Sequence, residues 1–190
     1  MRWIVGLPLL LCLSGCDQSP KCDQMFDGES LDGWRATSDV NWRVEDGAIV
    51  VDSGARGLLI HEGAYENYEL ELEFKADAGT NSGVFLSTIE KPESVTQDCY
   101  ELNIAPADNP FPTGSLVGRQ KCVENVVAEM PGWRKMKAVV DGLRVQVHLD
   151  GLKVLDYTAV ARAKGNRIGL QKNQGRVAFR KVHVKRLRSQ

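Results

Sequence analysis

The chain has 190 residues, a length that favours one domain with a core large enough to fold unaided. Hydrophobic residues make up 43% and charged residues 26%, an ordinary globular mix. A formal net charge of −1 gives no electrostatic case for nucleic acid, which is excluded as a partner at this stage.

Residues 1–16 read as a targeting segment rather than as fold. Arg2 supplies a positive n-region, and WIVGLPLLLCL is an apolar h-region too short to span a bilayer. It ends in Leu13-Ser14-Gly15-Cys16, which resembles the lipobox of bacterial lipoproteins. On that reading Cys16 is the lipid attachment and the mature N-terminus. The protein is exported and held by acyl chains at the periplasmic or cell-surface side of a bacterial membrane. Residues 17–24 are then a short polar tether, and one domain runs over 25–190. Export implies an oxidising compartment, so Cys22, Cys99 and Cys122 are free to pair. Cys99 and Cys122 bracket a long loop, and a disulfide there is worth about 3 kcal/mol on the chain-entropy model. The alternative is two reduced, buried thiols. No Cys or His spacing matches a zinc site.

From residue 25 almost nothing reads as helix. The runs AIVV (48–51), LLI (58–60), YELELEF (68–74), GVFLS (83–87), YELNI (100–104), WRKMKAVV (133–140), RVQVHLD (144–150), KVLDY (153–157), RIGLQ (167–171) and RVAFRKVHVKRL (176–187) are short, and many alternate. Asp46-Gly47, Asp141-Gly142, Asp150-Gly151 and Lys164-Gly165-Asn166 are turn signals between them. About ten strands without crossover helices predict an all-β fold, an antiparallel β-sandwich or jelly roll. VDGLRVQVHLDGLKVLDY is the clearest hairpin. The stretch 105–132 has no pattern, holds four of the seven prolines, and is a candidate functional loop.

Two strands place acids in view. YELELEF puts Glu69, Glu71 and Glu73 on one face, similar to the Glu-x-Asp-x-Glu run of jelly-roll glucanases. There, carboxylates about 5–5.5 Å apart would suit retaining hydrolysis. Alternate charges on a strand more simply face water, and that reading is preferred. In DCYELNIAP the alternation sends Tyr100, Leu102 and Ile104 to the core, so Glu101 and Asn103 share the other face. GTNSGVFLS offers Gly79 and Gly83 for tight bends, with Asn81 and Ser82 able to bond backbone or ligand. His61, His148 and His183 join no Ser or Cys motif and read as surface residues. Trp34, Trp42 and Trp133 read as core and sheet-edge residues.

Taken together, MFDGESLDGWR, WRVEDGAIVV, NYELELEFKADAGTNSGVFLS, YELNI, TGSLVG, GWRKMKAVVDGLRVQVHLDGLKVLDY and NRIGLQKNQGRVAFRKV resemble, in order, the 3-keto-disaccharide hydrolase domain family. The resemblance implies a concanavalin A-like jelly roll acting on a carbohydrate whose C3 hydroxyl is already a ketone. The ketone acidifies the C2 hydrogen. A base removes it, the C1 substituent leaves from the enolate, and water adds back. One base and an enolate stabiliser suffice. The matching positions make Glu101 that base, with Asn81, Ser82, Asn103 and Gln171 as substrate contacts. No cofactor is required by the sequence, and a divalent metal is left open. Ser87, Val117 and Asn173 stand where the family often carries Arg, Tyr and His. The rival reading is a non-catalytic carbohydrate-binding module of the same fold.

Overall fold

The computed structural model describes residues 22–106, 108–123 and 132–188. The expected signal peptide, Cys16 and most of the expected tether lie outside the described residues.

Alternation decides the larger sheet. In β6 (Tyr68–Ala76) Tyr68, Leu70, Leu72 and Phe74 are buried, while Glu69, Glu71 and Glu73 are partly exposed. Period-2 strands of this kind bury one face and solvate the other. The same alternation runs through β9 (Arg134–Asp141), β10 (Arg144–Leu149) and the second half of β13 (Val177–Arg186), but not through β11 (Leu152–Thr158) at the sheet edge. Together with β1 (Cys22–Gln24), β3 (Arg43–Glu45) and β4 (Ala48–Val51) they form an eight-stranded sheet. Its order is β11-β10-β9-β6-β13-β4-β3, with β1 also on β13. The acids of β6 are used in cross-strand ion pairs: Glu71 with Lys135 at 2.8 Å, Glu69 with Lys137 at 3.5 Å, and Glu73 with Arg180 and Lys181 at 2.7 and 2.8 Å. This is the solvated face expected from the sequence.

The second sheet has five strands in the order β2 (Trp34–Ala36), β5 (Gly57–His61), β12 (Arg167–Gln174), β7 (Asn81–Thr88) and β8 (Tyr100–Ile104). Every pairing in both sheets is antiparallel. The main core lies between the sheets, with Ile49, Tyr68, Leu72, Leu86, Tyr100, Leu102, Leu170 and Phe179 among its members. The expected all-β sandwich is what the chain forms, without helix in the described residues. Two hairpins turn on Asp-Gly: Asp46-Gly47 and Asp150-Gly151 are all left-handed, with φ of 51° and 72°, and 50° and 87°. That conformation matches strand twist and is the one Asp-Gly adopts most readily.

Two expectations are corrected. The tether ends early, because Cys22–Gln24 pair with Lys185, Val184 and His183. β4 covers only Val177–Phe179 of the long β13, leaving its far end open on that side for β1. The Cys99–Cys122 disulfide does not form, and both are free, buried thiols. Cys122 belongs to the core between the sheets, its thiol donating to Thr113 O at 3.4 Å. Cys99 packs on the outer face of the small sheet with Leu58, Ile60 and Phe85. The two side chains lie on opposite sides of that sheet.

Candidate functional site

The small sheet is buried over much of both faces, unlike the large one: all five residues of β8 are buried, and seven of eight in β7. Its outer face therefore holds polar groups out of bulk water. Register sets which ones meet. Gly83 of β7 lies opposite Asn103 on one side and Gln171 on the other. Phe85 lies likewise between Glu101 and Gly169, and Gly169 faces Ile60.

Glu101 and Gln171 come from strands separated by β7, yet Gln171 Nε2 donates to Glu101 Oε1 at 3.0 Å. The two side chains meet over Gly83, where a Cβ would crowd Leu102 O at 3.0 Å and touch Gln171 Oε1 at 3.5 Å and Glu101 Cγ at 3.6 Å. The role of Gly83 is thus close approach within a strand rather than a bend. Glu101 is 6% exposed and Gln171 1%. Burial raises the Glu101 carboxyl above its ordinary value, opposed by the Gln171 hydrogen bond and the positive charge of Arg56. Arg56, an exposed residue just before β5, has no signal in its local sequence that points to this site. Burial, with the Glu101 charge adding to it, also pushes the Cys99 thiol up to about 12.

The remaining expected contacts divide. Asn81 opens β7 two positions before Gly83 and is partly exposed. Asn103 shares the Glu101 face, but its Nδ2 donates to Phe111 O, so this amide fastens the proline-rich stretch. Ser82 is a correction: it is fully buried, and its hydroxyl donates to Gln171 O at 2.7 Å. The parity of β7 places it with the inward Val84 and Leu86, so it clamps β7 to β12 and does not face a ligand.

The stretch after β8 folds back along that strand. The Asn103 and Val117 N–H groups donate to Ser115 O and Glu101 O at 2.9 and 3.0 Å, closing what would be a bare sheet edge. Arg119 then lies over the Tyr100 ring, 4.5 Å from its centroid, and donates to Thr96 O and Cys99 O at 2.8 and 3.0 Å. The candidate loop thereby braces the strand that carries Glu101.

Cavities of about 400 and 460 Å³ open at the two ends of the sandwich, and neither is lined by Glu101. Ser87 lines the larger one, with a left-handed φ of 48° and its N–H donating to Tyr68 Oη at 3.0 Å. The departure from the family at this position therefore falls outside the Glu101–Gln171 pair. His61 is structural, its Nδ1 accepting from Gly63 N–H and meeting Tyr65 Oη at 3.0 Å.

Fold and site define an all-β sandwich with a desolvated acid held by an amide on the outer face of one sheet. Residues 21–185 match the model of the 3-keto-alpha-glucoside-1,2-lyase-like domain, and the chain belongs to that family. A 3-keto-disaccharide hydrolase of Bacteroides thetaiotaomicron is 36% identical over 73 residues, covering 32% of this chain and 25% of that protein. The chain thus matches about a quarter of that relative's length. Among solved structures, an inferred glycosyl hydrolase from Parabacteroides distasonis superposes with a TM-score of 0.76 at 21% identity, over 88% of this chain and 94% of that one. The carbohydrate-binding module CBM66 from Bacillus subtilis gives 0.58 at 13% identity, over 80% and 95%. At these identities the solved structures speak for the fold alone.

Proposed function

We propose that the chain is a glycoside-hydrolase-type enzyme that cleaves the glycosidic bond of 3-keto-glycosides, including 3-keto-disaccharides, with Glu101 as the base. The observation that carries this reading is the desolvated Glu101 carboxyl, raised above its ordinary value and held by Gln171. A base that abstracts a carbon-bound proton works best when its pKa approaches the working pH, and burial moves a carboxyl that way. Glu101 takes the C2 proton of the ketosugar, electrons move to the C3 oxygen as enolate, and the C1 substituent departs. Water then adds across the resulting double bond. Arg56, whose charge acts on Glu101, is the cation available to the enolate oxygen. The family description, a lyase acting between C1 and C2, names the elimination half of this sequence.

The lipobox supports a further part of the proposal: the enzyme is exported and anchored to a bacterial membrane through lipid on Cys16.

The test is turnover of 3-keto-disaccharides beside their unoxidised parents. Glu101→Gln keeps the shape and removes the base, so turnover should fall by ~10²-fold or more while binding survives. Glu71→Gln, on the ion-paired outer face of the large sheet, should change turnover little. A fully active Glu101→Gln would refute the assignment. A wild type that binds sugar without cleaving it would favour the binding module.

A further inference from the structure

Glu101 is shut off from solvent by the chain itself. It is 6% exposed and its partner Gln171 1%, and the cavities at the ends of the sandwich do not reach them. The ground beside the carboxyl is apolar. Phe85 lies opposite Glu101 in register, and Leu58, Ile60 and Cys99 join it in an outer-face cluster whose members are at most 6% exposed. Apolar side chains on an outer sheet face are out of water only where something lies on them. What lies there is the loop between β7 and β8: Val95 packs on the cluster, and the Cys99 thiol meets Val95 O at 3.9 Å.

This loop is built as a separate piece. The Ile89 N–H donates to Asp98 O at 3.2 Å, pinching its ends together. From within, Asp98 Oδ2 accepts from the Glu93 and Ser94 N–H groups at 3.1 and 2.9 Å. Among the described residues, no hydrogen bond beyond that of the Cys99 thiol ties Lys91 to Val95 to the rest of the domain. The attachments are at the ends: Arg35 to Glu90 at 2.6 Å, Lys164 to Asp98 at 2.8 Å, the Lys164 N–H to Gln97 O at 3.0 Å, and Arg119 to Thr96 O at 2.8 Å. Two of these are ion pairs open to water, which hold weakly. A segment with so few bonds to its surroundings opens more readily than the domain unfolds.

We propose that residues 89–98 are a strap, closed over the outer face of the small sheet in this structure, that lifts to admit the sugar to Glu101. The inference rests on the assignment of Glu101 as the base. Lifting uncovers Leu58, Ile60 and Phe85, an apolar floor against which the carbon–hydrogen face of a sugar ring lies beside the carboxyl. Only the open form binds, so the closed strap lowers the apparent affinity in proportion to the fraction of molecules that are open.

Cys99 reports the lift, because its thiol lies under Val95 while Cys122 lies between the sheets. Iodoacetamide labelling of the folded protein, resolved residue by residue by mass spectrometry, should reach Cys99 at least about fivefold faster than Cys122. Arg35→Ala/Lys164→Ala frees both ends and should speed Cys99 labelling by about threefold or more, with Cys122 within about twofold of wild type. Sodium chloride at about 1 M should speed Cys99 labelling in wild type through the same two pairs, and not in the double variant. Labelling and binding draw on one open form, so kcat/KM for a 3-keto-disaccharide should rise in the double variant by the factor by which labelling rises. A common rate for Cys99 and Cys122 would mean unfolding of the whole domain and overturns the strap. A Cys99 rate unmoved in the double variant, or a faster one with unchanged kcat/KM, overturns it too. Should the double variant fail to fold, the salt response of wild type decides. If wild type turns over no 3-keto-disaccharide, the reading of Glu101 fails by itself. The strap then stands if saturating methyl 3-keto-α-glucoside changes the Cys99 rate by about twofold or more, and falls if the rate is unchanged.

Discussion

The Glu101 carboxyl imposes two pH dependences of opposite sense. Burial holds it above its ordinary 4.5, with Gln171 and Arg56 pulling it down. A base acts unprotonated, so kcat/KM should fall as pH drops through that raised value, placing the acid limb above pH 4.5. For stability the sign reverses. A carboxyl that protonates more readily folded than unfolded contributes its stabilisation in full below the unfolded value and loses it as pH rises through the folded one. Glu101→Gln removes this titration, so its Tm relative to wild type should climb as pH rises from the ordinary carboxyl value through the raised folded one, while turnover collapses. A Tm difference that does not vary with pH would show that the carboxyl is not desolvated. Arg56→Ala removes a downward pull, and the acid limb of kcat/KM should move to higher pH; an unmoved limb would show that this charge does not act on the base. Thiol chemistry gives a separate check at this scale. In a chain beginning after Cys16, Ellman's reagent should find the exposed Cys22 quickly, the buried Cys99 and Cys122 slowly, and all three in denaturant. Recovery of one thiol in denaturant would restore the disulfide.

Elements whose two faces differ in chemistry are legible in the sequence. YELNI has the bounds of β8, and the alternation of YELELEF alone predicts the buried and ion-paired faces of β6. β1, β2 and β3 are not legible, since three residues carry no period and each exists only through its partner strand. The small sheet is harder for a different reason. GVFL in β7 is a continuous apolar run because both faces are covered, so its parity is hidden, and Ser82 reads as a site residue although it points inward. The Glu101–Gln171 contact joins residues 70 apart across an intervening strand, and only the order β12-β7-β8 brings them together. Cysteine spacing likewise identifies a loop between Cys99 and Cys122 but not the face on which either thiol lands. The loop itself offers an element-scale prediction. Arg119 joins Thr96, Cys99 and the Tyr100 ring, bracing the start of β8. Hydrogen bonds from a charged donor are worth roughly 1.5–3 kcal/mol, so Arg119→Ala should lower Tm by about 4–8 °C by scanning fluorimetry. Arg119→Lys should recover only part of this, because it keeps the charge and loses the two-pronged geometry. A Tm unchanged in Arg119→Ala would mean that the loop is held by its backbone bonds alone.

Across the whole molecule, acid acts through surface carboxylates with the sign opposite to Glu101. Arg43, with Asn41 and Arg176, holds Asp52 well below the usual carboxylate range, and Arg144, with Gln146 and Lys153, does the same for Asp156. Such groups contribute stability above their unfolded value of 3.8, and it fades as pH falls through the lower folded ones. The pairs are solvent-exposed, so the effect is small and salt-sensitive. The placement of the domain at a membrane is the larger question at this scale. If Cys16 carries lipid, five residues, 17–21, separate it from β1, and the six steps from Cys16 to Cys22 reach at most about 22 Å. The domain is then held close to the bilayer, and its substrates are sugars that diffuse to it. Cys16→Ser removes the acylation site but no residue of the sandwich. The variant should leave the membrane fraction or remain unprocessed, while its purified domain turns over 3-keto-disaccharide at the wild-type rate. Mass spectrometry of the native N-terminus reads the same claim directly: an acylated Cys16 is expected. A mature N-terminus downstream of Cys16, or a Cys16→Ser protein still in the membrane fraction after processing, would refute the anchor without touching the assignment of Glu101.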